Sequence, residues 1–330
     1  MNEGSFSLAQ NAVIDCSVII ATRNRSKEIC EVLSFLRDQI TEGKFFYEVI
    51  IVDNNSDDDT NRKVKALIND YPVSLEYLYE SRIGKGYALN LGIEKSRGKY
   101  IALTDDDVLI PKDWLSHIYR TFEETAADGV GGPIEAEWIG ERPKWLGASL
   151  IRQLAIVNHG DELFASNTLE TPFVGPNMAY KRELFMKYGG FELNHKNQDY
   201  EIYRFFLSCG CKLIYQPRMK VRHKIRSSSL SKKYFAKRFF HHGMRTDAGY
   251  EERCKSSKSV LGIPIWMMRF FVQLHFEALK SFLKGSKDDA LWHWLRRYYY
   301  LGAMWDRLRK RISKAEFVRT KLNMRKISEP

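Results

Sequence analysis

Three consecutive carboxylates, Asp105, Asp106 and Asp107, interrupt an otherwise apolar run, "KYIALTDDDVLI", at residues 99–110. Like charges side by side repel, and a divalent cation relieves that repulsion. Asp105 and Asp107, one residue apart on a loop, project in roughly the same direction. Hard cations such as Mg²⁺ or Mn²⁺ take oxygen ligands, and Mg²⁺ usually combines one or two carboxylates with substrate phosphates. At the carboxyl end of a strand the pattern points to a metal–diphosphate site; the competing reading is a solvated acidic loop. A second acidic run, "SDDDT" at 56–60, reads instead as a loop and helix N-terminus, where acids favour the helix dipole. Gly84-Lys85-Gly86 could bring backbone N–H groups to a phosphate. It does not match the P-loop, whose Lys is preceded by Gly-x-x-x-x-Gly and followed by Ser/Thr, nor Gly-x-Gly-x-x-Gly, since Leu89 and Asn90 stand where glycine is needed. That disfavours a nicotinamide or ATP enzyme.

Strands and helices must position these groups. "CSVIIA" (16–21) and the residues from Glu48 to Val52 read as buried strands, the second ending at Asp53. Between them a turn, Thr22 to Ser26, precedes an amphipathic helix from Lys27 to about Ile40, with Ile29, Val32, Leu33, Leu36 and Ile40 on one face. A helix through Val64, Leu67 and Ile68 stops at Pro72, and a third strand covers about 74–79. The glycine loop opens a helix through Ala88, Leu91 and Ile93, and a fourth strand (100–104) delivers the aspartates. Such alternation predicts an α/β fold with a doubly wound, mostly parallel sheet. Ligands bind beyond the carboxyl ends of such strands, so Thr22, Arg23, Asp53, Asn54 and Asp105–Asp107 should gather at one rim. The middle of the chain is less regular. "NQDYEIYRFFLSCG" predicts a helix with Asp199 and Glu201 near its start, and "KLIYQPRMKVRHK" predicts closing strands.

The bulk numbers narrow the class. A chain of 330 residues, 44% hydrophobic and 28% charged, fits a folded protein with a sizeable core. Cys16, Cys30, Cys209, Cys211 and Cys254 are odd in number and hold no Cys-x-x-Cys, which argues against a disulfide framework or zinc site and for a reducing cytosol. The first fifteen residues carry no secretory signal pattern. The net charge of +11 is uneven: residues 218–330 hold 28 Lys/Arg against 9 Asp/Glu. A basic tail on an acidic body implies an anionic partner.

Taken together, these segments resemble glycosyltransferase family 2, the inverting nucleotide-sugar transferases of the GT-A fold, over roughly residues 15–225. The resemblance rests on "SVIIATRNRS", "EVIIVDNNSDD", "GKGYALNLGIEKSRGKYIALTDDDV", "FVGPNMAYKRELFMKYGGFE" and "NQDYEIYRFFLSCGCKLIYQPRMKVRH", in that order. It implies a catalytic domain over 1–225, with a nucleotide-binding half at about 15–107 and an acceptor-binding half at about 108–225, followed by a helical extension over 226–330. It implies that Thr22, Arg23 and Asp53 line the base and ribose pocket, with Asn90 supporting the ribose or diphosphate. Asp105 and Asp107 would form the Asp-x-Asp pair, Asp107 being the more direct metal ligand, with Asp106 between them in the nucleotide-sugar set. Asp199 would be the general base, with Glu201 as second candidate because Gln198 replaces the usual glutamate. His223 matches a position that contacts metal or diphosphate. The implied cofactor is Mn²⁺ or Mg²⁺, the co-substrate a nucleotide-sugar, UDP-linked before GDP or dTDP, and the acceptor a saccharide or lipid-linked saccharide of a surface polysaccharide or glycolipid. Charge neutralisation on a leaving diphosphate and a carboxylate accepting the acceptor's proton are the chemistry such a reaction requires.

Beyond residue 224 the chain interleaves cations with aromatics. Residues 260–283 are apolar for long stretches but carry Arg269, His275, Glu277 and Lys280, too many charges for a bilayer span. Basic helices with Trp and Tyr fit an interfacial location, here the inner face of the cytoplasmic membrane; the alternative is a helical subdomain with a solvated basic face. No nucleic-acid module is recognisable. Two rival functions stand beside the transferase. A nucleotidyltransferase should carry a Gly-rich basic loop after the first strand, and "ATRNRS" has no glycine. A non-catalytic carbohydrate- or membrane-binding module would leave Asp105, Asp107 and Asp199 idle.

Overall fold

The computed structural model describes residues 13–193, 198–244, 254 and 256–327, with side chains as far as 312. Residues 1–12, on which most of the expectation about a signal segment rests, lie outside it. In chain order the elements are β1 (Cys16–Thr22), α1 (Ser26–Leu36), β2 (Tyr47–Asp53), α2 (Thr60–Leu67), β3 (Ser74–Tyr79), α3 (Lys85–Lys95), β4 (Tyr100–Thr104), β5 (Val108–Leu109), α4 (Trp114–Thr125), β6 (Gly129–Gly131), β7 (Ile134–Ile139), β8 (Phe164–Ala165), β9 (Met178–Lys181), α5 (Arg182–Tyr188), α6 (Gln198–Ser208), β10 (Leu213–Tyr215), β11 (Val221–Arg226), α7 (Lys232–Gly243), α8 (Ile265–Leu283) and α9 (Lys287–Ile327).

Among the described residues, eight strands form one sheet in the order β3-β2-β1-β4-β9-β6-β10-β8. The first four are mutually parallel, and β9 enters antiparallel between β4 and β6. Successive side chains of a strand point to opposite faces, and both faces are covered here: β2 is buried throughout and β1 everywhere but at half-buried Ala21. Val18, Ile20, Val49, Ile51 and Ala102 pack into one core with α1, α2 and α4. Ile19, Ile50, Val52, Ile101 and Leu103 pack into another with α3, α5 and α6. The helix after β1 is shorter than its apolar spacing predicts. It ends at Leu36, because Ile40 gives its backbone N–H to Lys112 and its carbonyl to Ser116 Oγ.

The chain divides into two compact units, 1–137 with 155–224 and 138–154 with 225–330. The first holds the sheet. The second recruits a segment that the sequence reading left in the acceptor-binding half: Trp145 meets Phe235 edge-on, and Ser227 Oγ donates to the Ile139 carbonyl. Within this unit α7 packs on α9 so closely that Gly243 and Gly302 have no room for a side chain. Among the described residues no helix is long and apolar enough to cross a membrane.

Candidate active site

The register of β1, β2 and β4 aligns Thr22 with Asp53 and Ile20 with Thr104, so three loops leave the sheet together at the carboxyl ends of these strands. The loop after β1 turns at Asn24, whose φ is 53°, and brings Arg25 over the aspartates. Arg25 Nη1 donates to Asp106 Oδ1 at 3.1 Å and to Asp107 Oδ2 at 2.5 Å. Thr22 Oγ1 donates to the other Asp106 oxygen at 2.7 Å. His223, on β11 opposite Val108, places Nε2 3.3 Å from Asp107 Oδ1. Lys85, the first residue of α3, pairs with Asp105.

The acidic helix start is drawn to the same place. Asp199 Oδ2 accepts from the Gly175 N–H at 3.0 Å. A Cβ on Gly175 would stand 3.4 Å from Lys85 Nζ and 3.6 Å from Asp199 Oδ2. Lys85 therefore lies between the Asp105 end of the cluster and Asp199. The glycine loop is held by Asn54, which accepts from Gly84 N at 2.7 Å and donates to the Arg82 carbonyl at 2.7 Å. Asp53 is buried, accepting from Tyr77 Oη at 2.8 Å and from Ser56 N at 2.9 Å.

Environment splits the neighbouring acids. Burial pushes Asp106 up to about 6 against the pull of Arg25 and Thr22, with Asp107 and Asp105 adding repulsion. Burial also acts to raise Asp107, but His223 and Arg25 outweigh it and hold that carboxyl well below the usual range. For Lys85, burial works against the charge, while Asp105, Asp199 and Asp106 together raise it above the ordinary lysine value. Its side chain is nonetheless 45% exposed, so water screens these attractions.

Not every residue marked in the sequence joins this cluster. Asn90 directs both ends of its amide at Phe191, accepting from its N–H at 2.7 Å and donating to its carbonyl at 2.9 Å. It secures Phe191 instead of reaching into the rim. Glu201 is clamped by Arg204 at 2.6 and 3.0 Å, the neighbour one helical turn on. Arg23 is exposed on the loop where Arg25 turns inward. The "SDDDT" run precedes α2, with Asp58 accepting from Thr60 N and Ser26 N at 3.0 Å each. Arg25 and Lys85 escaped the sequence reading. Lys85 left one signal: a cation in the first turn of a helix opposes the dipole unless an anion lies nearby.

The donor set suits a hard divalent cation. Asp105 and Asp107 offer carboxylate oxygens and His223 an imidazole nitrogen. Among the described residues no three such side chains converge as a ready-made site, and Asp105 is paired with Lys85. A site of this kind reaches its full ligand number only with phosphate oxygens from a substrate, the usual arrangement for Mg²⁺.

A glucosyl-dolichyl phosphate glucuronosyltransferase of Haloferax volcanii is 24% identical over 187 residues, 54% of this chain and 58% of its own length. The glycosyltransferase AglE of the same organism is 37% identical over 120 residues, 36% and 39% of the two chains. These alignments thus span less than two thirds of the relatives' lengths. Among solved structures, the mannosyltransferase PcManGT of Pyrobaculum calidifontis, in complex with GDP-Man and Mn²⁺, superposes with a TM-score of 0.59 over 90% of this chain and 88% of that one, at 18% identity. TarS 1–349 of S. aureus in complex with UDP-GlcNAc gives 0.52 over 88% and 92%, at 16% identity. The fold is that of the GT-A glycosyltransferases. Residues 17–189, just over half of the 330, match the model of glycosyl transferase family 2, and the chain belongs to that family of enzymes.

Proposed function

We propose that the protein is an inverting, metal-dependent transferase that moves a sugar from a nucleoside-diphosphate donor, a UDP-sugar in our reading, to a saccharide hydroxyl. The observation that carries the proposal is the convergence, at the carboxyl ends of the parallel strands, of Asp105–Asp107, Arg25, Lys85, His223 and Asp199. In this reading Asp53, Thr22 and Asp106 shape the base and ribose end, and Arg23 borders it. Asp107, His223 and Asp105 would hold the cation, which when bound supplies positive charge to the departing diphosphate. Arg25 and Lys85 add fixed and mobile positive charge beside it. Asp199 takes the proton of the attacking hydroxyl. Glu201, committed to Arg204, is the weaker base candidate, and a retaining route would need a second nucleophilic carboxylate at the anomeric carbon.

The acceptor class follows from two supports. One curated relative is named for action on a glucosyl-dolichyl phosphate and another, TarS, for poly(ribitol-phosphate). With the basic second unit, these favour a lipid-linked or polyanionic saccharide of surface glycan synthesis, and peripheral attachment to the inner face of the cytoplasmic membrane. Thermal unfolding with Mn²⁺ plus UDP or GDP tests the donor site: a higher melting temperature with UDP and Mn²⁺ is expected, and no shift with any nucleoside diphosphate would refute it. Asp199→Asn should lower turnover by about 10³-fold or more while leaving nucleotide affinity within about twofold, measured by sugar release and calorimetry.

A further inference from the structure

Helix α8 has two apolar faces and the fold uses one. Met267 and Leu274 are buried in a small core with Tyr300 and Ala303 of α9, and Phe271 packs against it. On the other side Ile265, Met268, Val272, Phe276, Leu279 and Leu283 recur at helical spacing. Val272 is 50% exposed, Phe276 67%, Leu279 56% and Leu283 76%. Ile265, Met268, Val272 and Phe276 of this stripe form one open apolar surface, with Arg269 and Gln273 at its edges. Over 19 residues the stripe runs about 28 Å. Scattered exposed apolar residues are ordinary, whereas a contiguous apolar face marks an interaction site.

We propose that this face is the membrane-contact surface of the protein, lying in the headgroup region of an anionic bilayer; its lipid partner rests on the peripheral-membrane reading above. Charge identifies the occupant. Arg269, Lys280 and Lys284 flank the stripe against the single acid Glu277; past the turn come Lys287, Asp288 and Asp289. Residues 265–312 hold ten Lys/Arg against four Asp/Glu. Trp294 and Trp305 of α9 are exposed at 40% and 54%, the residue type that settles at a lipid–water interface. A second copy of the chain fits less well. A twofold interface sets the same patch against itself, and Arg269, Lys280 and Lys284 would then face one another with one acid per copy to offset them. An in-plane helix with a cationic border and an apolar face needs no such compensation, because the lipid supplies the anions.

The test is co-sedimentation of the full chain with vesicles of equal parts phosphatidylglycerol and phosphatidylcholine, and with phosphatidylcholine alone. The expected result is binding to the anionic vesicles that weakens with added NaCl, and a drop of at least about tenfold in partitioning for the Phe276→Asp, Leu279→Asp double variant. A control with the same charge change at exposed Leu163 and Leu169 should bind as the unmodified chain does. Equal binding by the α8 double variant would overturn the assignment of this face while leaving membrane attachment standing, and no binding by the unmodified chain would overturn both. Sedimentation velocity showing a dimer that the double variant dissociates would assign the face to self-association and overturn the proposal. Should the double variant unfold, Phe276→Trp decides with acyl-brominated phosphatidylglycerol: tryptophan quenching in the bound variant beyond that of the unmodified chain supports insertion of this face, and no added quenching overturns it.

Discussion

Replacing Asp106 by Asn should stabilise the ligand-free protein at neutral pH and abolish part of its pH dependence. Asp106 is only 8% exposed and its acid is pushed up to about 6 from an ordinary 3.8. An acid whose folded value is raised holds its proton more tightly in the folded state, so stability present below pH 4 is lost as pH rises through about 6. At about 1.4 kcal/mol per pH unit, the loss by pH 8 is about 3 kcal/mol. The figure already includes what Arg25 and Thr22 give back to the charged form. Asn retains the shape and both partners: its carbonyl accepts from Arg25, and the Thr22 hydroxyl rotates to accept from its amide. Equilibrium urea unfolding of both proteins in EDTA at pH 4 and pH 8 measures the effect. The two should differ little at pH 4, and the variant should gain about 2–3 kcal/mol over the unmodified chain at pH 8. A difference that stays constant between these pH values, or a variant less stable at pH 8, would refute the reasoning, because it would mean that Arg25 fully compensates the buried charge.

Other perturbations follow from single contacts. Asn90→Ala removes both bonds to Phe191; we expect a loss of about 1–2 kcal/mol in thermal unfolding and a lower kcat with an unchanged donor KM. In Gly86→Ala the new methyl collides with Gln198 Nε2, the far end of a flexible side chain; Gln198 must give up its 2.9 Å bond to the Glu192 carbonyl, so the melting temperature should move by only a few degrees while turnover falls. Arg25→Met leaves Asp106 and Asp107 without their shared guanidinium and should cost about 1–3 kcal/mol at pH 7 and less at pH 4, read by the same urea titration.

The sheet was legible because each strand serves two cores at once. An unbroken run such as "CSVII" sends Val18 and Ile20 to one face and Ile19 to the other, and few alternatives accommodate that. The carboxylates were legible for the same reason: they begin where a fully apolar strand stops. The helix boundary at Ile40 was not, since apolar spacing cannot reveal that Lys112 and Ser116 claim its backbone. Nor was the departure of residues 138–154 to the second unit, which depends on Trp145 finding Phe235 about ninety positions later. Asn90 stood in a position that resemblance assigned to the nucleotide, and its partner, Phe191, lies 101 residues away.

The counter-ions were the least legible part, and they change how the cluster is understood. Three adjacent aspartates in a sequence suggest an uncompensated charge awaiting a cation. In the fold Asp107 already has His223 beside it, and two further cations reach the cluster, Arg25 from 81 residues before and Lys85 from 20 residues before. The two are not equivalent. Arg25 bridges Asp106 and Asp107 with one nitrogen from a loop that Asn24 and Ser56 tie down, whereas Lys85 reaches Asp105 on a flexible stem that is nearly half exposed. A guanidinium shared by two carboxylates is hard to dislodge, and a hydrated ammonium on a single one is not. The proposed divalent cation, meeting Arg25 at Asp107 and Lys85 at Asp105, would displace Lys85 more readily. Displaced from Asp105, Lys85 has Asp199 beside it, and a donor diphosphate would offer it a stronger anion than either.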